Sequence, residues 1–310
     1  MSIKGIFVKL IESYIFVLLA SLLIGIIFAD YTVVLSNYST IFLGIIFFFS
    51  ALKIDLKEVI GYFKDKKMLL VTNAFMLFIL PIAVYYLTLV VYPDVAIAFL
   101  VLAAMPSGMT APLLSEICGG RQSLALILTI TTSLLAPFTV PLVIKLVAGA
   151  SVEVSALAMF WSLAKVIFIP FILANFIKYF FQSKIKATYY TFKPISIILL
   201  GLLIMGIVAK QADAILNGLR GQFLIYILLL FIFFIVLHAI GYFAVFWRDK
   251  KDRVTITVCL TYMNFTLAIY LAGQFFDEPN ITVPVILSVL PWSLLIIPFK
   301  YFIKKFKLSA

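Results

Sequence analysis

The stretch Met105-Pro106-Ser107-Gly108-Met109-Thr110-Ala111-Pro112 interrupts an apolar run that extends from Asp94 to Arg121, and it decides how the chain is read. Two prolines remove backbone donors, and Gly108 permits conformations that other residues resist. A straight helix is therefore not expected here. Unwound backbone in mid-bilayer is tolerated only where protein buries it or where it lines a polar cavity. The competing reading is a proline kink without a ligand. A second polar interruption, Thr261-Tyr262-Met263-Asn264-Phe265-Thr266, lies midway between Arg253 and Asp277. It has no glycine or proline at its centre. Asn264 would be costly against lipid, so it is expected to face protein, either at a break or in a helix–helix hydrogen bond.

The rest of the chain is the setting these interruptions require. Of 310 residues, 65% are hydrophobic and 12% charged, with a mean hydropathy of +1.21. A soluble domain carries about 25% charged residues, so there is too little polar surface here to coat a globule. A soluble enzyme, a nucleic-acid binder and a disordered chain are excluded. A transmembrane helix needs about 20 apolar residues. Ten candidate spans follow, at approximately 10–29, 32–51, 68–92, 95–118, 122–148, 154–180, 194–211, 221–247, 254–276 and 281–303. The first resembles a signal peptide only superficially and is expected to be retained. The longest loop, near 52–67, leaves no room for a soluble domain, and no Walker-type loop is present.

Basic residues orient the map. Lys4, Lys9, Lys53, Lys57, Lys64, Lys66, Lys67, Arg121, Lys178, Lys184, Lys186, Lys193, Arg248, Lys250, Lys251, Arg253, Lys300, Lys304, Lys305 and Lys307 fall on one side. The other side holds Lys210 and Arg220, and Lys145 and Lys165 fall within spans. By the positive-inside rule both termini are cytoplasmic, which an even number of spans satisfies, and a prokaryotic inner (plasma) membrane is the expected location. The net charge of +11 is then topology, helped by anionic lipid, and not a nucleic-acid footprint. The two interruptions lie five spans apart and so cross in opposite directions, as inverted repeats do. In transporters of that design half-helix ends meet at the midplane and bind substrate or ion.

Other polar residues within the spans carry open readings. Lys165, about ten residues into its span, is either a fixed cation for an anionic substrate or a snorkelling side chain. Glu116 reads as an interfacial group near Arg121. His238 reads as a proton relay or as a neutral interhelical donor. Cys118 and Cys259 form no CxxC pair and are expected to pack as small apolar residues. One histidine and no acidic pair within the spans argue against an intramembrane enzyme.

The chain resembles the bile acid:sodium symporter family across nearly its whole length. The resemblance rests on Phe47-Phe48-Phe49-Ser50-Ala51-Leu52-Lys53-Ile54-Asp55-Leu56 and on Met105 to Thr110, which is similar to the family's Pro-Gly-Gly-Thr crossover. Gly120, Ser123-Leu124-Ala125-Leu126, Leu134-Leu135-Ala136-Pro137, Lys165-Val166-Ile167-Phe168-Ile169-Pro170 and the Asn264 region continue it. It implies an all-α integral membrane unit of two inverted five-helix repeats. A panel domain would take residues 10–51 and 154–211, and a core domain 68–148 and 221–303, with spans four and nine crossing in the core. It also implies sodium-driven uptake of a small organic anion, bile-acid-like or a small carboxylate. The candidate substrate-binding residues are Ser107, Gly108, Met109, Thr110, Asn264, Phe265 and Thr266 at the interruptions, and Lys165 in its fixed-cation reading. The family's sodium-ligand positions depart from that pattern. Its Ser-Asn pair falls on Ala111 and Pro112, its span-five hydroxyls on Ala125 and Thr129, its glutamate on Cys259, its span-nine glutamine on Met263 and its span-three glutamine near Met76. The candidate replacement sodium ligands are Thr129, Thr132, Ser133, Thr261, Asn264 and Asn73, besides Thr110 near the crossover. The alternatives are a sodium-independent permease resembling the auxin efflux carriers and a non-transporting membrane receptor. The sequence does not fix the oligomeric state.

Overall fold

The computed structural model describes residues 14–54, 66–149, 154–218 and 221–306. The segment of the first predicted span before Tyr14, the loop from Asp55 to Asp65 and the basic residues Lys4, Lys9, Lys57, Lys64, Arg220 and Lys307 lie outside the described residues. Among the described residues the chain is helical and has no strand. The helices are α1 (Tyr14–Ile27), α2 (Ala29–Lys53), α3 (Lys66–Val91), α4 (Ala96–Ala103), α5 (Ala111–Ile117), α6 (Gln122–Ala148) and α7 (Ala156–Ala187). They continue as α8 (Tyr189–Lys210), α9 (Phe223–Phe243), α10 (Lys250–Thr261), α11 (Phe265–Phe275) and α12 (Pro279–Lys305). Seven of them, α2, α3, α6, α7, α8, α9 and α12, are long and apolar enough to cross a membrane, and each coincides with a predicted span. The predicted first span contains the shorter apolar helix α1, whereas spans four and nine are each divided into two helices.

The outer surface explains the composition. Leu224 is 76% exposed, and Val90, Ile172 and Phe176 also point outward. Patches of this kind on a soluble protein would mark a binding surface; distributed around helices whose backbone groups are satisfied internally, they suit lipid. Small residues govern close approach inside. A Cβ on Gly25 would lie 2.9 Å from the Met205 carbonyl oxygen, and one on Gly201 would meet Ser21 Oγ at 2.8 Å, so α1 and α8 pack nearly backbone to backbone.

Contacts sort the helices into two groups. Helix α8 packs on α1 and α2, and α2 also packs on α7. Helix α9 packs on α10, α5 lies against α6 and α10, and the start of α12 covers α4. The α6–α7 contact joins the groups. Prolines shape several members. A π turn at Phe75–Ile79 leads into Pro81 in α3. Pro284, Pro291 and Pro298 recur every seven residues in α12 and divide it into Pro279–Leu287, Val289–Leu294 and Ile296–Lys305.

One end is held by ions. Gly119 takes a positive φ of 83°, which only glycine adopts freely, and the following turn delivers Arg121 to the start of α10. Its guanidinium bonds Asp249 at 2.7 Å and Asp252, while Arg248 bonds the other Asp252 oxygen at 2.7 Å. The Arg121 amide and Ser115 Oγ both donate to Thr255 Oγ1, at 2.7 and 3.2 Å.

Candidate functional site

Helix α4 stops because Pro106 has no amide hydrogen to continue it, and α5 starts at Ala111 with Pro112 in its first turn, where no donor is needed. Helix α10 stops at Thr261. Helix α11 starts because Asn264 caps it: Asn264 Oδ1 accepts from the Leu267 amide at 3.1 Å, a strong N-terminal signal in its own right. The two breaks meet. The Gly108 amide donates to the Tyr262 carbonyl at 2.9 Å, and the Asn264 amide donates to the Pro106 carbonyl at 2.8 Å. Ser107 and Met263 thus form an isolated antiparallel bridge. Further bonds from the Ser107 amide to Thr132 Oγ1 (3.2 Å) and from Trp292 Nε1 to the Met263 carbonyl (3.2 Å) occupy more of the freed backbone groups. Buried peptide groups need such partners, and here two bonds join the interruptions to each other while α6 and Trp292 supply others.

Hydroxyls gather on the α6 side of the bridge. Ser107 Oγ lies 3.1 Å from Thr129 Oγ1, which also donates to the Gly108 carbonyl at 3.4 Å. Thr132 Oγ1 donates to the Leu128 carbonyl at 2.6 Å. Ser133 Oγ and Thr261 Oγ1 are buried without a hydrogen-bond partner. Thr129 and Ser133 line a small cleft of about 30 Å³ beside Met109 and Phe47. Asn73 lies farther out, on α3, where its amide donates to the Leu69 carbonyl at 2.7 Å and its oxygen accepts from Thr131 Oγ1 at 3.1 Å. Among the described residues no cluster of His, Cys, Asp or Glu could hold a metal. Cys259 Sγ faces the Ala125 carbonyl at 3.9 Å, and both residues are fully buried.

A cavity of about 880 Å³ opens from this crossover. Gly108, Met109, Thr110, Asn264, Phe265 and Thr266 line its deep end. Phe47, Phe49, Phe192 and Trp292 form its apolar walls, and Lys53, Gln122, Ser123 and Lys193 stand at the end of α2 and the starts of α6 and α8. Of the residues expected at a substrate, Ser107 is buried behind the bridge. Lys165 is not brought to the cavity: it lies on the outer face of α7 with Trp161, Ile169 and Ile172. Of the two lysines that do line the cavity, Lys193 reads in sequence as a topology charge, and Lys53 as a topology charge and part of the span-two motif. The signal that could have found them is Lys53 itself, placed at the end of the span-two motif.

Opposite this opening the helices are closed upon one another. Tyr270 Oη of α11 bonds Thr40 of α2 at 2.9 Å and Ser162 of α7 at 2.6 Å. A Cβ on Gly273 would lie 2.5 Å from Ile207 of α8. His238 of α9 touches the crossover from behind, with Nε2 3.1 Å from Tyr262 Oη and Nδ1 2.7 Å from the Phe234 carbonyl. Any relay through it would have to pass the Tyr262 hydroxyl.

These features define an integral membrane protein with a broken-helix crossover at the floor of a cavity, the arrangement of a transporter. The chain belongs to the SBF-like CPA transporter family, whose profile matches residues 10–300, in line with the bile acid:sodium symporter resemblance. It is 26% identical to an uncharacterised sodium-dependent transporter, YocS, of Bacillus subtilis (strain 168), over 82% of this chain and 79% of that protein. It is 22% identical to the probable sodium/metabolite cotransporter BASS1, chloroplastic, of Arabidopsis thaliana, over 70% of this chain and 54% of that one. A probable BASS1 cotransporter of rice, Oryza sativa subsp. japonica, is also 22% identical, over 62% of this chain and 47% of its own length. The chain thus spans about half the length of these two plant relatives.

Proposed function

We propose that the chain is a ten-span secondary transporter that moves a small organic anion by alternating access. The observation that carries this reading is the paired break: two helices interrupted at matching positions, bonded to each other, beside a cavity of about 880 Å³. The helix groups α1, α2, α7, α8 and α3–α6, α9–α12 are the panel and core of two inverted five-helix repeats. Rocking of one against the other would expose the Gly108–Thr110 and Asn264–Thr266 segments to alternate sides. With the basic end cytoplasmic, as the positive-inside rule requires, the cavity faces inward. The membrane is then a prokaryotic inner (plasma) membrane. The test is uptake or counterflow of candidate carboxylates in proteoliposomes; absence of flux across a broad panel, with intact folding, would overturn it.

Sodium is the coupling ion in the leading version. The named sodium dependence of the relatives supports it, as does an oxygen set comprising Ser107 Oγ, Thr129 Oγ1, Ser133 Oγ and the Gly108 carbonyl. Sodium prefers such hard ligands. A sodium-independent permease is the second reading, favoured by the Cys259–Ala125 contact, which puts a thiol where the family resemblance places a carboxylate. A ligand that binds only the folded state raises stability by mass action. Melting of purified protein in sodium against potassium at matched ionic strength separates the two. A sodium-specific rise that Thr129→Ala abolishes supports coupling; equal melting supports the second reading.

A further inference from the structure

We infer that Lys53 and Lys193 form an anion-receiving subsite at the open end of the cavity. It would hold the carboxylate or sulfonate of a soluble organic anion whose apolar body lies along Phe47, Phe49 and Phe192. The inference rests on the transport reading for its purpose but not for its geometry. Both ammonium-bearing residues line the same cavity and are close enough to repel each other. Among the described residues neither forms an ion pair with a carboxylate. Neighbouring cations do not serve that role: Arg121 and Arg248 are engaged by Asp249 and Asp252, and Lys178 bonds the carbonyls of Ala51 and Ile54. Two like charges at the mouth of one cleft favour an anion between them, because a cleft lined by one sign of charge between low-dielectric walls focuses the field.

The apolar half of the subsite adjoins the charges. Phe49 and Phe192 stack at 4.7 Å with an interplanar angle of 18°, and Lys53 Nζ stands 5.9 Å from the Phe192 ring centre. The stack bridges α2 and α8, the two helices that carry the lysines. The ligand class is therefore amphipathic: an acidic head and an aromatic or aliphatic body. Bare inorganic ions would leave the rings unused.

A reporter cysteine tests this without knowledge of the natural substrate. Ser196 lines the same cavity one turn beyond Lys193. With Cys118 and Cys259 replaced by alanine, Ser196→Cys is reacted in lipid-free detergent with anionic sulfonatoethyl and cationic trimethylammonioethyl methanethiosulfonates. Rates are normalised to the neutral methyl reagent. The sulfonate is expected to be preferred, and that preference is expected to fall by about tenfold in Lys53→Gln/Lys193→Gln, as the loss of two nearby charges implies, and to return in Lys53→Arg/Lys193→Arg. Added 2-naphthoate should slow the reaction, and neutral 2-naphthylmethanol should not. An unchanged reagent ratio, no protection by the naphthoate, or equal protection by phosphatidylglycerol, which would assign the lysines to a lipid headgroup, overturns the inference. Proteoliposome flux is scored separately: lost flux with retained sulfonate preference sinks the transport reading alone, and intact flux with no preference sinks the subsite alone.

Discussion

Gly108 sits where the two breaks cross backbone against backbone, with no room for a side chain. A Cβ there would lie 2.5 Å from the Tyr262 carbonyl oxygen and 3.0 Å from that of Met263, so the two breaks would have to part. Gly108→Ala is expected to lower stability by about 1–3 kcal/mol, the usual range for overpacking, and to abolish flux; thermal unfolding and proteoliposome uptake check both. Asn264 makes the complementary case. Asn264→Ala removes the cap of α11 and should cost about 1 kcal/mol, whereas Asn264→Ser keeps an acceptor and should retain most of it. Equal melting of the two variants would show that the cap contributes nothing. These residues also mark how far the sequence could be read. The break at span four was legible because prolines and a glycine forbid a straight helix. The break at span nine was legible only through Asn264, whose capping role and whose alternative helix–helix bond look alike in sequence. Lys165 has two readings in sequence for a different reason. In a membrane helix both the core face and the lipid face are apolar, so the periodicity that orients a soluble helix says little about which side a lone lysine occupies.

Helix-to-helix ties come in two kinds, one at each end of the molecule. At the closed end Tyr270 is bonded to Thr40 and Ser162. Tyr270→Phe keeps the ring and removes both bonds, each worth about 0.5–1.5 kcal/mol net. It should shift the population toward opening at that end, read as faster labelling of a cysteine placed at Ile207, which is buried and lines a pocket of about 620 Å³ there. Unchanged labelling would mean that these bonds do not hold the closure. At the basic end the tie is ionic. Burial works against the Asp249 carboxylate, but the Asp252 amide and Arg121 outweigh it and hold the carboxyl below its usual range. A depressed folded value stabilises the protein above the unfolded value of about 3.9, and that contribution is lost as pH falls through the lower folded value. Asp249→Asn should therefore lower the melting temperature modestly at neutral pH and flatten its decline between about pH 5 and pH 3. Identical acid profiles would remove Asp249 from the account. The limits of α6 match the predicted 122–148, whereas α7 runs on to Ala187 and α8 starts at Tyr189, past the predicted 180 and before the predicted 194. The π turn of α3 and the proline-divided α12 were not anticipated, because local rewinding leaves hydropathy unchanged.

At the scale of the whole molecule, transport by rocking requires the contact between α8 and α11 to break and reform. Ile207 and Gly273 sit at that contact, and the 2.5 Å from an added Cβ at Gly273 to Ile207 Cγ2 implies a Cβ–Cβ separation near the ~3.8 Å typical of disulfides. Ile207→Cys/Gly273→Cys is expected to oxidise readily, arrest flux in proteoliposomes and recover it on reduction. Undiminished flux in the oxidised protein would sink the rocking account while leaving the fold untouched. The cavity's charge was hidden from the sequence at this same scale. Lys53 and Lys193 are 140 positions apart, and each alone satisfies the positive-inside rule, so only the assembled α2–α8 wall distinguishes a cavity charge from a topological one.

The bridge between Ser107 and Met263 is made of peptide groups, and peptide groups are common to every residue except for proline's missing hydrogen. Apart from Gly108, where a Cβ would strike the Tyr262 carbonyl, a joint of this kind asks little of the side chains that line the cavity beside it. Met109 and Thr110, half-buried at the cavity, can therefore drift in evolution, or be randomised in a library, while Phe265, packed on Trp292 at 4.6 Å, holds the scaffold's shape. Such a protein can acquire new cargo without relearning how to fold.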